Sequence, residues 1–157
     1  MEQRIEYTKV APGVYQAMQA LGKYLSQSGL EPGLQDLVKL RASQINGCAY
    51  CIDMHWKDAR AAGESEMRLY ALDAWRESPF YTESEQAALE WTEALTLIAT
   101  THAPDDSFAR VRAQFDEKQL ASLTWAIAAI NAWNRIAIAF RATPGQYAPP
   151  RTHAAAT

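Results

Sequence analysis

The run Leu123-Thr124-Trp125-Ala126-Ile127-Ala128-Ala129-Ile130 is apolar almost all the way round a helix. Asp116 with Gln119 makes a capping box ahead of it, and Pro144-Gly145 ends the pattern after about Arg141. A helix with so little wet surface has to lie in the middle of a bundle or in an oligomer interface. The rest of the chain must therefore supply helices to surround it.

The remaining punctuation is helical as well. Pro12 suits a first turn, and Val14, Met18, Leu21 and Leu25 follow at helical spacing until about Gly29. A second helix opens at Pro32 and carries Leu34, Leu37, Val38, Leu40 and Ile45, until Asn46-Gly47 breaks it. A third begins at about Cys48 and reaches Ala62, with Gly63 as its stop. Ser65 to Arg76 reads as one or two short helical turns closed by Pro79. Thr82 with Glu85 caps a helix carrying Leu89, Trp91, Leu95 and Ile98, and Asp105 to Phe115 forms a shorter amphipathic one. No alternating strand pattern, glycine-rich phosphate loop or repeat occurs. The expectation is an all-α bundle of about six to eight helices, one domain over residues 1–145, with 146–157 as a loose tail.

The chain has 157 residues, enough to bury roughly two thirds of its unfolded surface without a covalent staple. A net charge of −3 leaves no electrostatic footprint for nucleic acid or an anionic membrane. No apolar run approaches the length of a membrane span, and acids stand at the start where a secretory signal would be basic. A soluble, cytoplasmic protein is expected. Its two cysteines lie three apart, which in a reducing compartment indicates a redox site or half a metal site, not a disulfide framework.

The chemistry gathers in Asn46-Gly47-Cys48-Ala49-Tyr50-Cys51-Ile52-Asp53-Met54-His55. If Cys48 opens a helix, Cys48, Cys51 and His55 fall at i, i+3 and i+7 on one face. Cα atoms three apart in a helix are close enough for a disulfide. Both sulfurs then occupy the first turn, where free N–H groups and the helix dipole favour thiolate. His55, one turn beyond Cys51, can accept or share its proton. A thiolate beside a second thiol can attack a peroxide, become a sulfenic acid, be resolved to a disulfide and be restored by an external dithiol.

Other readings of the same residues exist. Zinc could take Cys48, Cys51, His55 and a distant fourth ligand, but His102 and His153 sit in a helix end and the tail, and no second cysteine pair exists. A c-type haem is excluded because Ile52 follows the second cysteine. Two inert buried thiols are a third possibility. No flavin or nucleotide motif is visible, so no resident cofactor is expected.

These residues resemble the alkyl hydroperoxidase D family of the carboxymuconolactone decarboxylase-like superfamily. That family's motif is an acid, eleven residues, Cys-x-x-Cys, three residues and His. Leu40-Arg41-Ala42-Ser43-Gln44-Ile45-Asn46-Gly47-Cys48-Ala49-Tyr50-Cys51 and Asn131-Ala132-Trp133-Asn134-Arg135 are similar to its peroxidase-related branch. The resemblance implies an all-helical domain, trimers or hexamers, and hydroperoxide reduction by paired thiols, with electrons from a lipoyl-bearing or thioredoxin-type protein dithiol. It assigns peroxide attack to Cys51, resolution and proton donation to Cys48, and the proton relay to His55. Dipole reasoning alone favours Cys48 as the exposed nucleophile.

The family's acid falls on Asp36, one methylene shorter than glutamate, so its contact could become water-bridged or be lost. Tyr50 stands where the best-known peroxidases carry a second histidine, and lines the entrance or packs. Asp58, one turn beyond His55, could orient the ring or simply be an exposed acid, while Asp53 points away from Cys51. Trp56, Trp125 and Trp133 are expected in the core or a subunit interface, and buried Asn131 and Asn134 need hydrogen-bond partners. Competing functions are a muconolactone-type decarboxylase, whose relatives generally lack the cysteine pair, and a redox-sensing protein without turnover.

Overall fold

The computed structural model describes residues 2–149, and among them the fold is all-α with no strand. The helices are α1 (Tyr7–Val10), α2 (Pro12–Ser26), α3 (Pro32–Asn46), α4 (Ala49–Ala61), α5 (Glu66–Ala71), α6 (Glu83–Thr96), α7 (Ile98–Thr101), α8 (Asp105–Gln114) and α9 (Glu117–Phe140). A 3₁₀ segment, Leu72–Glu77, follows α5. The two helices not anticipated are the four-residue α1 and α7, neither of which has a side-chain cap to announce it in sequence. Ile98 begins α7 instead of continuing α6, because the chain leaves helical geometry at Leu97. No helix is long and apolar enough to cross a membrane among the described residues.

Local chemistry fixes the long helices. Glu31 accepts from the Gly33 and Leu34 amides behind Pro32 at the start of α3. Thr82 with Glu85 and Asp116 with Gln119 both close reciprocal capping boxes. α9 is central, as its composition requires, but α3 shares the centre by packing on α4, α6 and α9. Leu34 and Val38 of α3 join Trp91, Val111, Leu123 and Ile127 in one core cluster. Leu37 and Leu40 join Ala59, Leu69, Leu72 and Trp75 in a second. Charged residues disguise this burial in the sequence. Arg41 of α3 is tied to Glu93 (2.9 Å) and to Asp73, and Glu93 also accepts from the Trp75 indole at 2.8 Å.

Asn131 and Asn134 face inward and lock α9 to the end of α3. The Asn46 amide donates to Asn131 Oδ1 (2.9 Å) and Asn134 Oδ1 (2.8 Å). Asn131 in turn donates to Thr96 Oγ1 of α6 (3.0 Å), and Asn134 to Ser43 Oγ (3.0 Å). Among the described residues no buried side-chain nitrogen or oxygen lacks a partner. The network is therefore fully satisfied, the condition under which buried amides stabilise and specify one arrangement.

Trp125 is 60% exposed on this chain, which leaves it to the interface half of the expectation, and Trp56 packs against the second cluster. The residues around Gln146 are bonded to α4. The Gly145 amide donates to Asp53 Oδ2 (2.9 Å), Lys57 Nζ to the Tyr147 carbonyl (3.0 Å), and Tyr147 OH to Asp58 Oδ1 (2.6 Å). These bonds strap the segment to α4; residues 150–157 of the expected tail lie outside the described residues.

Asn134 is fully buried. Asn134→Ala should cost about 2–3 kcal/mol in urea unfolding, because it takes an acceptor from the Asn46 amide and a donor from Ser43 Oγ and leaves a void. An unchanged midpoint would show that the network carries no stability.

Candidate active site

Gly47 ends α3 in the left-handed region at φ 68°, a conformation that glycine adopts without a Cβ penalty. Its amide and that of Cys48 return to the last turn of α3, with Cys48 N–H donating to the Ser43 carbonyl at 3.0 Å. The chain then enters α4 with Cys48 as N-cap, and Cys48 Sγ accepts from the Cys51 amide at 3.3 Å. Cys48 and Cys51 are bonded as a disulfide, with Cα atoms 5.3 Å apart. Both cysteines are buried, at 1% and 2% exposure. Cys48 is thus not the exposed thiol that dipole reasoning favoured, because Ala137 of α9 packs against the pair.

Cys51 and His55 line one cavity of about 280 Å³, walled by α2, α3, α4 and α9. Leu25, Met54, Ala126, Ile130 and Trp133 make it mainly apolar, while Gln19, Gln35 and Tyr15 bring polar groups. Among the described residues the lining includes no acid, and Lys39 is its one ammonium group. Burial first, and then the Lys39 charge, pushes the His55 imidazole down to about 3. The ring is therefore neutral across the physiological range in the disulfide form. Burial raises the hydroxyls of Tyr7 and Tyr50 as well, so they remain uncharged.

The structure brings Cys48, Cys51 and His55 together and leaves Asp36 outside the cavity that Cys51 and His55 line. Asp36 instead lines a separate pocket with Ala59 and Ala62, and pairs with Lys39 Nζ at 3.6 Å. Burial raises its carboxyl against the pull of Lys39. Lys39 thus stands between the acid and the cavity, a residue that sequence reasoning missed. Its signal was present: Lys39 follows Asp36 by three residues and sits between Val38 and Leu40, both core residues.

Asp58 is neither the exposed acid nor the ring-orienting group expected of it. It accepts from Tyr147, and among the described residues no hydrogen bond to the His55 ring is formed. Asp53 does point away from Cys51, toward Lys57 and Gly145. Tyr50 lines both the Cys51 cavity and a second cleft that reaches Cys48. No group of three or more His, Cys, Asp or Glu side chains able to hold a metal occurs among the described residues.

Comparison with known proteins places this geometry. The model of the carboxymuconolactone decarboxylase family matches residues 12–94. The protein YdfG of Bacillus subtilis is 48% identical over 139 residues, covering 88% of this chain and 95% of the relative. A crystal structure from Agrobacterium tumefaciens, of a protein of unknown function with AhpD antioxidant defence as its suggested role, superposes with a TM-score of 0.89. It is 49% identical, over 93% of this chain and all of that one. A peroxidase-related protein from Ralstonia eutropha with an alkylhydroperoxidase AhpD core shares the fold at 18% identity. Its TM-score is 0.77, over 88% of this chain and 74% of that one. By the extent of the family match and the identity to its relatives, this chain belongs to the carboxymuconolactone decarboxylase family and has the AhpD-like all-α fold.

Proposed function

We propose that this protein is a thiol-dependent hydroperoxide reductase of the cytoplasm, serving antioxidant defence. The observation that carries this reading is the Cys48–Cys51 pair in the first turn of α4, with Cys51 and His55 opening onto one mainly apolar cavity. Such a cavity suits the organic part of an alkyl hydroperoxide, and paired thiols supply the two electrons that its O–O bond requires.

In the reduced protein the Cys51 thiolate attacks the terminal peroxide oxygen, the O–O bond breaks, and the alkoxide leaves as alcohol after taking a proton. Cys48 sulfur then attacks the Cys51 sulfenic acid and releases water. Two thiols and one hydroperoxide become one disulfide, one alcohol and one water. The free N–H groups of the first α4 turn and the Lys39 ammonium both favour the thiolate. His55 is neutral in the disulfide form, so it has a ring nitrogen free to accept the Cys51 proton in passing, although burial keeps it a weak base there. A thiolate beside it raises its proton affinity and opposes the effect of Lys39. Asp36 holds Lys39 at the cavity instead of relaying protons directly. The disulfide is returned to thiols by an external thiol donor, and exposed apolar residues such as Val14 and Ile136 suit assembly into a homo-oligomer.

Cys51→Ser should abolish peroxide consumption, and Cys48→Ser should leave a sulfenic acid on Cys51 that dimedone labels. Full turnover by Cys51→Ser would refute the assignment. Lys39→Met should move the curve of Cys51 alkylation rate against pH upward by about one pH unit, with Lys39→Arg restoring it; an unmoved curve would remove Lys39 from thiolate stabilisation.

The His55 ring of the oxidised protein should titrate near 3 by NMR. The unfolded chain takes that proton near the ordinary value of about 6.5. The unfolded state therefore binds more protons between these values, and stability is lost as pH falls through that window. His55→Gln should flatten this part of the acid limb. A ring midpoint at or above the ordinary value would contradict the neutral imidazole.

A further inference from the structure

The two cysteines of the disulfide line different openings. The cavity described above is lined by Cys51 and not by Cys48. A second cleft, of about 490 Å³, is lined by Cys48 and not by Cys51. Tyr50 and Ala137 contribute to both and stand as the partition. Two arginines, Arg4 and Arg141, line the cleft, and among the described residues no acid does. Its far wall is the segment Arg141–Pro144, and bonds from Arg4 and Gly145 hold the adjoining chain. Arg4 N–H donates to the Phe140 carbonyl (3.0 Å) and its guanidinium to the Ala139 carbonyl (3.1 Å). Gly145 is anchored on Asp53. The cleft is thus a built feature of the fold.

We infer that oxidant and reductant reach this disulfide from opposite sides: the Cys48 cleft is a binding site for a low-molecular-weight thiol bearing a carboxylate. This rests on the peroxidase reading for the oxidant's side only. Thiol–disulfide exchange needs the incoming sulfur in line with the bond that breaks, and it runs faster when the departing sulfur is the better-stabilised thiolate. A thiolate in the cleft meets Cys48 Sγ and forms a mixed disulfide with it. The Cys48–Cys51 bond breaks, and its electron pair leaves on Cys51. That sulfur is freed at the third residue of α4, on the side of Lys39, where its negative charge is stabilised. A second thiol then attacks the outer sulfur, giving the external disulfide and the Cys48 thiol. Electrons delivered at one cysteine so emerge on the one that faces the peroxide cavity. Both cysteines are almost completely buried, so the walls of each opening decide which sulfur a given reagent can reach.

The charge of the walls sets the ligand class. Arg4 and Arg141 attract an anionic thiol and repel a cationic one, while Ala49, Ile138 and Pro144 leave room for a short carbon skeleton.

The test uses the full-length oxidised protein without peroxide, so its outcome is separate from that of the peroxidase assay. Reduction by mercaptoacetate and by cysteamine is followed, with each rate expressed per thiolate. Mercaptoacetate should be faster by about fivefold or more. Arg141→Glu should abolish or reverse that preference, and Arg141→Lys should keep it. Acid quenching followed by fragmentation of the tryptic peptide should place the mercaptoacetate adduct on Cys48. An adduct on Cys51, or an equal charge preference in wild type and Arg141→Glu, would overturn the inference. The adduct position is read on the wild-type chain, so it decides the matter even if a variant fails to fold.

Discussion

Asn46 ends α3 two residues before Cys48, and its amide is held at once by Asn131 and Asn134 of α9. Each of these passes the constraint on, Asn131 to Thr96 of α6 and Asn134 back to Ser43 of α3. Five side chains from three helices thereby fix the place where α3 stops. Gly47 then turns the chain through the left-handed region, and Cys48 begins α4 with its sulfur capping the Cys51 amide. Without a fixed end to α3, neither the direction of α4 nor the wall that Ala137 puts against the sulfurs would be determined. Buried amides of this kind are costly if one partner is missing, so the arrangement has little freedom to drift.

The electrostatics of the cavity follow from the same packing. Burial on α4 makes a charged His55 expensive, and Lys39 from the neighbouring α3 raises that cost. Among the described residues the single cation lining the cavity is therefore a lysine from the adjacent helix and not the histidine of the motif. Asp36 keeps its place in the sequence pattern but acts at one remove, as the partner of Lys39. The helix N-terminus and Lys39 favour a thiolate at Cys51, against the desolvation cost of the mainly apolar space.

Most of the helices were legible in the sequence because their signals are local. Two capping boxes, Pro32 and Gly47 each act within four residues of a helix end, and all did so as expected; the Glu31 cap ahead of Pro32 was not foreseen. The pairing of Cys48 with Cys51 and the nearness of His55 were legible for the same reason, since one helical turn sets them. What escaped depends on chain segments far apart. Asn131 and Asn134 clearly needed partners, but the partner lies 85 and 88 residues away. Tyr147 meets Asp58 across 89 residues, so the strap at the end of the described chain looked like loose tail. Lys39 reads as a solvated lysine until α3 is packed between α4 and α9. The single-turn helices α1 and α7 carry no side-chain cap at all.

The central claim is that this cysteine pair is cycled by hydroperoxide. The most direct measurement takes metal-free reduced protein, adds one equivalent of cumene hydroperoxide, alkylates, and reads the tryptic peptide that contains both cysteines by mass spectrometry. The account predicts loss of both free thiols within seconds and a Cys48–Cys51 disulfide in that peptide. Two thiols that remain fully alkylatable after minutes would contradict it.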